Sequence, residues 1–433
     1  MTINYRSTAA IFLLVLFFAS GSNSQAQTIS PKPENSGSDQ AVVPSSYKRL
    51  GSEGVLENLL AWDGHDKFVK FLDVSDENIE ALKQTAVNGN SQACFALASL
   101  YRDGYHVGRN NKASLEFFNA AIKLGHVEAK VSMAYMHRCA LGVEFDPNEE
   151  TRLYDAAVEE YTIKADKGDV AAQYRIGEIH DKRMGGNRKE IRKLAFSWYR
   201  KAAEQGYPKA QCTLGEFYLT GKSPVEEDAE KAVNWYQKAA GHGWAEAQYQ
   251  LGVCSTNGLG MPVDESAAAQ WYQLAAEQGY ADAQFNLGTC YRKGAGVKQD
   301  AKTAVKWYRS AAKQDHKNAQ YNLGACYLTG EGVEVDAIEA AKWFEKAAKQ
   351  GVATAQFSIG FCYRVGVGVA VDNKRAFKWF LKAANQGNAD GQFHLALCYA
   401  GGIGVRRNPN QSMIWTRKAA HQGHEEAKKN LGY

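Results

Sequence analysis

Fifteen residues, AQFNLGTCYRKGAGV from Ala283, return every thirty-six residues with few changes: AQYNLGACYLTGEGV from Ala319, AQFSIGFCYRVGVGV from Ala355 and GQFHLALCYAGGIGV from Gly391. The anchor alanine recurs upstream at Ala247, Ala210, Ala172, Ala129 and Ala93, with spacings among them of 37, 38, 43 and 36, and downstream at Ala427. A period of this length means a stacked array, because one short unit cannot bury its apolar face alone and needs its neighbours to cover it. The periodic region occupies nearly everything after residue 75.

Each unit reads as two antiparallel helices. The anchor alanine, an aliphatic four residues on (Leu287, Leu323, Ile359) and a tyrosine four further (Tyr291, Tyr327, Tyr363) form one apolar stripe at helical spacing, defining helix A. Gly-x-Gly follows, as at Gly330 and Gly332, where a tight turn between helices needs positive φ. Asp264, Asp300, Asp336, Asp372 and Asn408 recur at thirty-six where helix B should open, so the reading is an N-cap and not a catalytic carboxylate. Helix B carries Trp198, Trp235, Trp271, Trp307, Trp343, Trp379 and Trp415, then paired alanines and a closing Gln-Gly such as Gln350 and Gly351. Asp315 stands in for that glycine in one unit. Full burial of one such tryptophan would contribute about 4 to 6 kcal/mol gross, so the indoles are expected in the core.

These motifs, AxAQ(Y/F)xLGxxY, GxGV and DxxxAxxW(Y/F)xxAAxQG, resemble the Sel-one-like repeat (SLR) family, a relative of tetratricopeptide repeats. The resemblance implies an all-α fold, a right-handed superhelical α/α solenoid. It covers residues 76–433: a half-repeat at 77–90, nine full repeats and a half-repeat at 425–433. It also implies protein-interaction scaffold and adaptor roles, without enzymatic activity. Two departures stand out. The unit from Ala129 is seven residues longer, has His137 for Tyr and lacks Trp, and its helix B is expected around 149–167. The next unit loses its Gly-x-Gly-Val and carries Lys182, Arg183, Arg188, Lys189, Arg192 and Lys193, a solvated basic face or a patch for an acidic partner.

Before the array, Arg6 precedes an eleven-residue apolar run, AAIFLLVLFFA at 9–19, and small residues follow at 20–26. The pattern predicts a secretory signal peptide over 1–26, cleaved after Ala26, and places the protein outside the cytoplasm: secreted, periplasmic, or in the secretory pathway if eukaryotic. The run is short of the roughly twenty residues that span a bilayer, so no integral span is expected after cleavage. Residues 27–75 begin as a Ser-, Pro- and Asn-rich leader. Asn410-Gln-Ser412 is the one glycosylation sequon.

Chemistry finds little footing. Lys plus Arg exceed Asp plus Glu by only 51 to 47, so no nucleic-acid partner is expected. Cys254, Cys290, Cys326, Cys362 and Cys398 fall once per repeat, about 9 to 10 Å apart if stacked, too far to bridge, and read as small buried thiols. Cys94, Cys139 and Cys212 lie off that register, leaving one irregular disulfide open. His421 and His424 alone do not make a metal site, and no cofactor is expected. Ser310 to Lys313 has the Ser-x-x-Lys spacing of penicillin-recognising enzymes, an alternative suggested by β-lactam binding in cysteine-rich SLR relatives, but the companion motifs are missing. A carbohydrate- or peptidoglycan-binding protein is the other alternative, and would need exposed groove aromatics.

A partner would meet helix A, at positions the motif leaves free. Six and nine residues after the anchor these are Thr289 and Arg292, Ala325 and Leu328, Phe361 and Arg364, Leu397 and Ala400. Thr289, Arg292, Leu328, Phe361, Arg364 and Leu397 are the expected groove for a protein or peptide, with packing between repeats as the competing reading for Phe361 and Leu397.

Overall fold

The computed structural model describes residues 74–182 and 188–432. The predicted signal peptide, nearly all of the leader and Arg183 lie outside them. Contacts divide the chain into two compact units meeting in sequence at Tyr280 and Ala281. The first holds α1 (Asp76–Val87), α2 (Ser91–Asp103), α3 (Asn111–Lys123), α4 (Val127–Arg138), α5 (Pro147–Asp166), α6 (Val170–Lys182), α7 (Arg188–Glu204), α8 (Pro208–Thr220), α9 (Ala229–Gly241), α10 (Ala245–Asn257) and α11 (Glu265–Glu277). The second holds α12 (Ala281–Lys293), α13 (Ala301–Lys313), α14 (Lys317–Thr329), α15 (Ala337–Lys349), α16 (Ala353–Val365), α17 (Asn373–Asn385), α18 (Ala389–Gly401), α19 (Pro409–His421) and α20 (Glu425–Asn430). The fold is all-α, as expected, and the described residues contain no strand. Within each unit an A helix pairs with the B helix after it, and that B helix packs on the next A.

The punctuation works as the sequence suggests. Asp336 has extended backbone, φ −140°, and its carboxylate accepts from Ile338 N and Glu339 N at 3.0 Å, satisfying donors that the first turn of α15 leaves unpaired. Asp264, Asp300, Asp372 and Asn408 do the same for their helices. The two turn glycines have separate jobs. Gly330 is the left-handed cap of α14, φ +78°, and its N–H returns to Cys326 O at 2.9 Å. Gly332 also has positive φ, but in addition a Cβ there would lie 2.2 Å from Ala301 O, so only glycine lets this loop touch the preceding B helix. At the other end of the unit Asp315 adopts φ +63° in the place of glycine.

The core corrects one expectation. The repeat tryptophans are half-buried; in five of the seven units it is the aromatic residue after the tryptophan that is fully enclosed, Tyr236, Tyr272, Tyr308, Phe344 and Phe380, and Tyr199 after Trp198 is buried as well. One residue is a 100° step around a helix, and that step turns this ring, not the indole, into the A–B interface. There it lies over the motif glycine of helix A: a Cβ at Gly324 would stand 2.8 Å from the Phe344 ring, and one at Gly252 2.5 Å from Tyr272. The indoles instead lie at the rim, where in five of the seven units the lysine three residues on covers them, as Lys238 over Trp235 at 4.0 Å and Lys418 over Trp415 at 4.1 Å.

All eight cysteines are free. The five regular ones are buried, and burial raises the thiol pKa of four of them: Cys254, Cys326 and Cys362 to about 12 and Cys398 to about 11. The irregular disulfide left open by sequence does not form. Cys94 replaces the usual glutamine after the anchor, is buried and points its thiol at Ala86 O; Cys212 is buried beside Gln211; Cys139 is exposed past the end of α4.

Candidate interaction surface

Most of helix A is committed to holding the array. The glutamine after the anchor is the clearest case. Gln320 is buried, donates to Ala312 O of the preceding B helix at 3.2 Å, and accepts from Gln350, the closing glutamine of its own unit, at 2.8 Å. The same side-chain pair joins Gln173 with Gln205, Gln248 with Gln278, Gln284 with Gln314, Gln356 with Gln386 and Gln392 with Gln422, all at 2.7 to 2.9 Å. A buried amide left unpaired is costly, so this rung fixes the register between units. One rung is broken: His242 holds the closing position of its unit, and Gln211, which still donates to Ala203 O at 3.1 Å, has a buried Oε1 with no partner among the described residues. The sequence signal was present, two glutamines about thirty residues apart in unit after unit, but a recurring Gln reads as solvated surface until burial is known.

The atypical unit is held differently. Arg175 on α6 is buried; its Nε donates to Glu128 on α4 at 2.9 Å, a second donor reaches the same carboxylate, and Nη1 meets Glu178 at 2.6 Å. Tyr161 on α5 donates to Glu128 at 2.7 Å, and burial, the larger cause, together with that carboxylate raises the phenol's pKa strongly. Lys130 pairs with Glu160 between α4 and α5. No spacing rule could have joined these residues.

Of the six expected groove residues, the structure keeps some at the surface and takes others inside. Leu328 is fully buried in the core of the second unit with Phe344 and Ala340, so its groove assignment is corrected to packing. Thr289 is half-buried, its hydroxyl within 3.1 Å of both Phe285 O and the Tyr308 hydroxyl. Phe361 is half-buried, with its ring edge-on to His394 of the next A helix at 5.6 Å, while Leu397 is exposed. Arg292 and Arg364 hold the same repeat position two units apart. Both are half-buried, neither has an ion-pair partner among the described residues, and the Nε of Arg292 is shielded from water without an acceptor. The carboxylates in the first turns of α12 and α18 are engaged: Asp282 with His316 at 3.0 Å and Asp390 with His424 at 3.4 Å.

Those histidines are helix caps. His316 Nδ1 accepts from Ala319 N at 3.0 Å and His424 Nδ1 from Ala427 N at 3.2 Å. His394 sits against Phe357, Phe361 and Phe380, and burial, the largest cause, with Arg364 and His424 working the same way against Asp390, pulls its pKa down to about 4. In the basic segment Lys182 lies 4.0 Å from Glu178, Arg188 and Lys189 are exposed at the start of α7, Arg192 is half-buried, and Lys193 pairs with Glu190 at 2.9 Å. The Ser310 hydroxyl donates to Lys306 O at 3.2 Å, along its own helix.

Paired helices stacked by a glutamine rung define a helical-repeat protein. The Sel1 repeat family model matches residues 91–126, 170–207, 208–244, 245–280, 281–316, 317–352, 353–388 and 389–424, and the chain belongs to that family. Eight units match; residues 127–169, the longer unit, fall outside the match although they form the helix pair α4 and α5. The chain is 30% identical over 155 residues, 33% of its length, to a chitin synthase regulator of Saccharomyces cerevisiae. It is 31% identical over 184 residues, 41% of its length, to chitin synthase regulatory factor 3 of Schizosaccharomyces pombe. These alignments cover 20% and 19% of the two yeast proteins. Among solved structures, a Sel1 repeat protein from Oxalobacter formigenes aligns at 28% identity and a TM-score of 0.49, covering 87% of this chain and 93% of that one. Among the described residues no helix is long and apolar enough to cross a membrane.

Proposed function

We propose that this Sel1 repeat protein is an exported, non-enzymatic scaffold that holds a protein partner on the face formed by its A helices. The observation that carries the reading is the pair Phe361 and Arg364: an aromatic ring and an unpaired guanidinium, both half-buried, one turn apart on α16, at positions the repeat does not need for capping or turning. Such a pairing is typical of the few residues that dominate protein interfaces. That two yeast relatives carry the names of regulators of another enzyme fits an adaptor role.

Affinity capture tests it. The chain from residue 27 onward is used as bait beside a version with Phe361→Ala and Arg364→Ala, both checked for equal thermal unfolding. A protein retained by the first and lost by the second supports the scaffold; equal retention moves the contact away from this face. Export is read separately, by N-terminal sequencing of the protein recovered from its source. A new terminus at Gln27 is expected, and an intact Met1 would overturn the signal-peptide reading.

A further inference from the structure

The near-balance of charge over the whole chain, 51 Lys plus Arg to 47 Asp plus Glu, conceals a segregation. In the B helices of the second unit, α13, α15, α17 and α19, Lys plus Arg number thirteen and Asp plus Glu two, whereas α3, α5, α7, α9 and α11 of the first unit hold twelve of each. The excess falls on one side of each helix. On α13 it is Lys302, Lys306 and Lys313, exposed at two, six and thirteen residues after the cap Asp300. The other three helices repeat the stripe, with Lys346, Lys382 and Lys418 exposed ten residues after their caps. These offsets trace one line along a helix, opposite the side on which Tyr308 and its equivalents are buried.

The four helices lie side by side. Gly332, in the loop before α15, stands against Ala301 at the start of α13, too close for a Cβ; Gly368 meets Ala337 and Gly404 meets Asn373 in the same way. Just past the far ends of α13 and α15, Gln350 Nε2 donates to Asp315 O at 2.9 Å. The stripes therefore join into one face. Of its thirteen cations only Lys342 and Lys349 have an ion-pair partner among the described residues, and these take up Glu339 and Glu345, the two carboxylates of the four helices. The caps Asp336 and Asp372 are engaged with backbone N–H groups.

Aliphatic side chains are exposed on the same helices. Val335 and Val371 each precede a cap, while Ile338 and Ile414 hold the places of Lys302 and Lys306, and all four are between 45 and 59% exposed. Aromatic rings are not: the indoles lie under lysines, as Trp343 under Lys346 at 4.2 Å and Trp379 under Lys382 at 4.6 Å. Three properties thus choose among anions. Ten of the thirteen cations are lysines, hydrated point charges suited to mobile headgroups rather than to the forked grip that Arg gives a fixed phosphate. Exposed aliphatics gain nothing on a sugar-phosphate backbone but enter the boundary between headgroups and acyl chains. Single-stranded bases need exposed rings to stack on, and this face has none among the described residues.

We propose that the B-helix face of residues 301–421 docks on a bilayer surface rich in anionic phospholipid, with its lysines among the headgroup phosphates and Val335, Ile338, Val371 and Ile414 in the interfacial layer. The inference uses the other helix of each pair and does not rest on the scaffold reading.

Vesicle flotation tests it, with phosphatidylcholine alone and with phosphatidylcholine mixed with phosphatidylglycerol. The full chain is used and, so that the apolar run at 9–19 does not report for the face, the chain from residue 27 as well. Binding to the anionic vesicles should exceed binding to the neutral ones by at least about tenfold in both forms, and should weaken as salt rises. Lys306→Gln, Lys313→Gln, Lys378→Gln and Lys382→Gln together should lose at least about tenfold. Lys112→Gln, Lys123→Gln, Lys231→Gln and Lys238→Gln, which remove the same charge from the first unit, should lose much less. Ile338→Ser with Val371→Ser should weaken binding about threefold and leave its salt dependence unchanged. Circular dichroism and thermal unfolding show that each variant is folded. Equal binding to neutral vesicles, no binding to either, binding that disappears when the chain starts at residue 27, or equal losses in the two charge variants would overturn the proposal. So would tighter binding of an oligothymidylate or of polyglutamate than of the anionic vesicles, which would assign the face to a nucleic acid or to an acidic protein.

Discussion

At His242 the chain breaks its own pattern, and the break has a thermodynamic consequence. Gln211 Oε1 is buried without a partner only because its unit closes on His instead of Gln. His242→Gln should restore the rung seen at 2.7 to 2.9 Å in six other units and stabilise the protein by about 1 kcal/mol, measured by urea unfolding. A second residue gives a pH signature. His394 has a folded pKa of about 4 against an ordinary 6.5. Between those values the unfolded chain binds more protons than the folded one, so the stability this residue contributes is whole above pH 6.5 and is lost as pH falls toward 4. The side chain is half-buried and not fully enclosed, which limits the effect to about 1 to 2 kcal/mol. Stability of His394→Asn, measured between pH 7 and pH 4, should fall less steeply than that of the parent.

Elements in this protein are interchangeable in outline but not in how they are held. In six units, from Gly177 with Tyr199 to Gly360 with Phe380, an aromatic of helix B fits the notch left by a glycine of helix A, and capping, turning and the glutamine rung recur at similar offsets. The unit from α4 to α5 has Ala134 where the notch glycine would be, and ties its helices to α6 through Arg175, Glu128 and Tyr161. A buried pair of this kind is a liability once broken, because the surviving charge has neither water nor a counter-ion. Arg175→Ala should therefore cost about 3 to 5 kcal/mol, seen as a lowered thermal midpoint, whereas loss of the exposed Lys193 to Glu190 pair should cost under about 1 kcal/mol. Replacing Asp336 by Ala removes a cap and should cost about 1 kcal/mol in the same assay.

Over the whole molecule, stability is carried from unit to neighbouring unit. Gly324→Val puts two methyl groups where a Cβ alone would already stand 2.8 Å from the Phe344 ring, and overpacking of this kind costs about 1 to 3 kcal/mol or more. In a nearest-neighbour array the loss should stay local: hydrogen exchange should quicken through α14 and α15 and the helices packed on them, while α2 and α3 keep their protection. Uniform acceleration along the chain would mean that it unfolds as one cooperative body.

Much of this architecture was legible before any coordinates. Period, helix pairing, caps at Asp264 through Asn408, turn glycines and the once-per-repeat thiols all follow from local rules, since capping, positive φ and helical spacing depend on residues within one or two turns of each other. The sequence by itself determined that the chain forms paired helices in a repeating series, and which positions turn and cap them. Only the tertiary structure decided that the ring after six of the seven repeat tryptophans, and not the indole, is buried, that the glutamines are buried rungs, that Leu328 belongs inside, and that Arg292 and Arg364 have no ion-pair partner among the described residues. Each of these depends on which side of a helix meets another element thirty or more residues away, and a rotation of one residue, 100°, is enough to exchange core for surface.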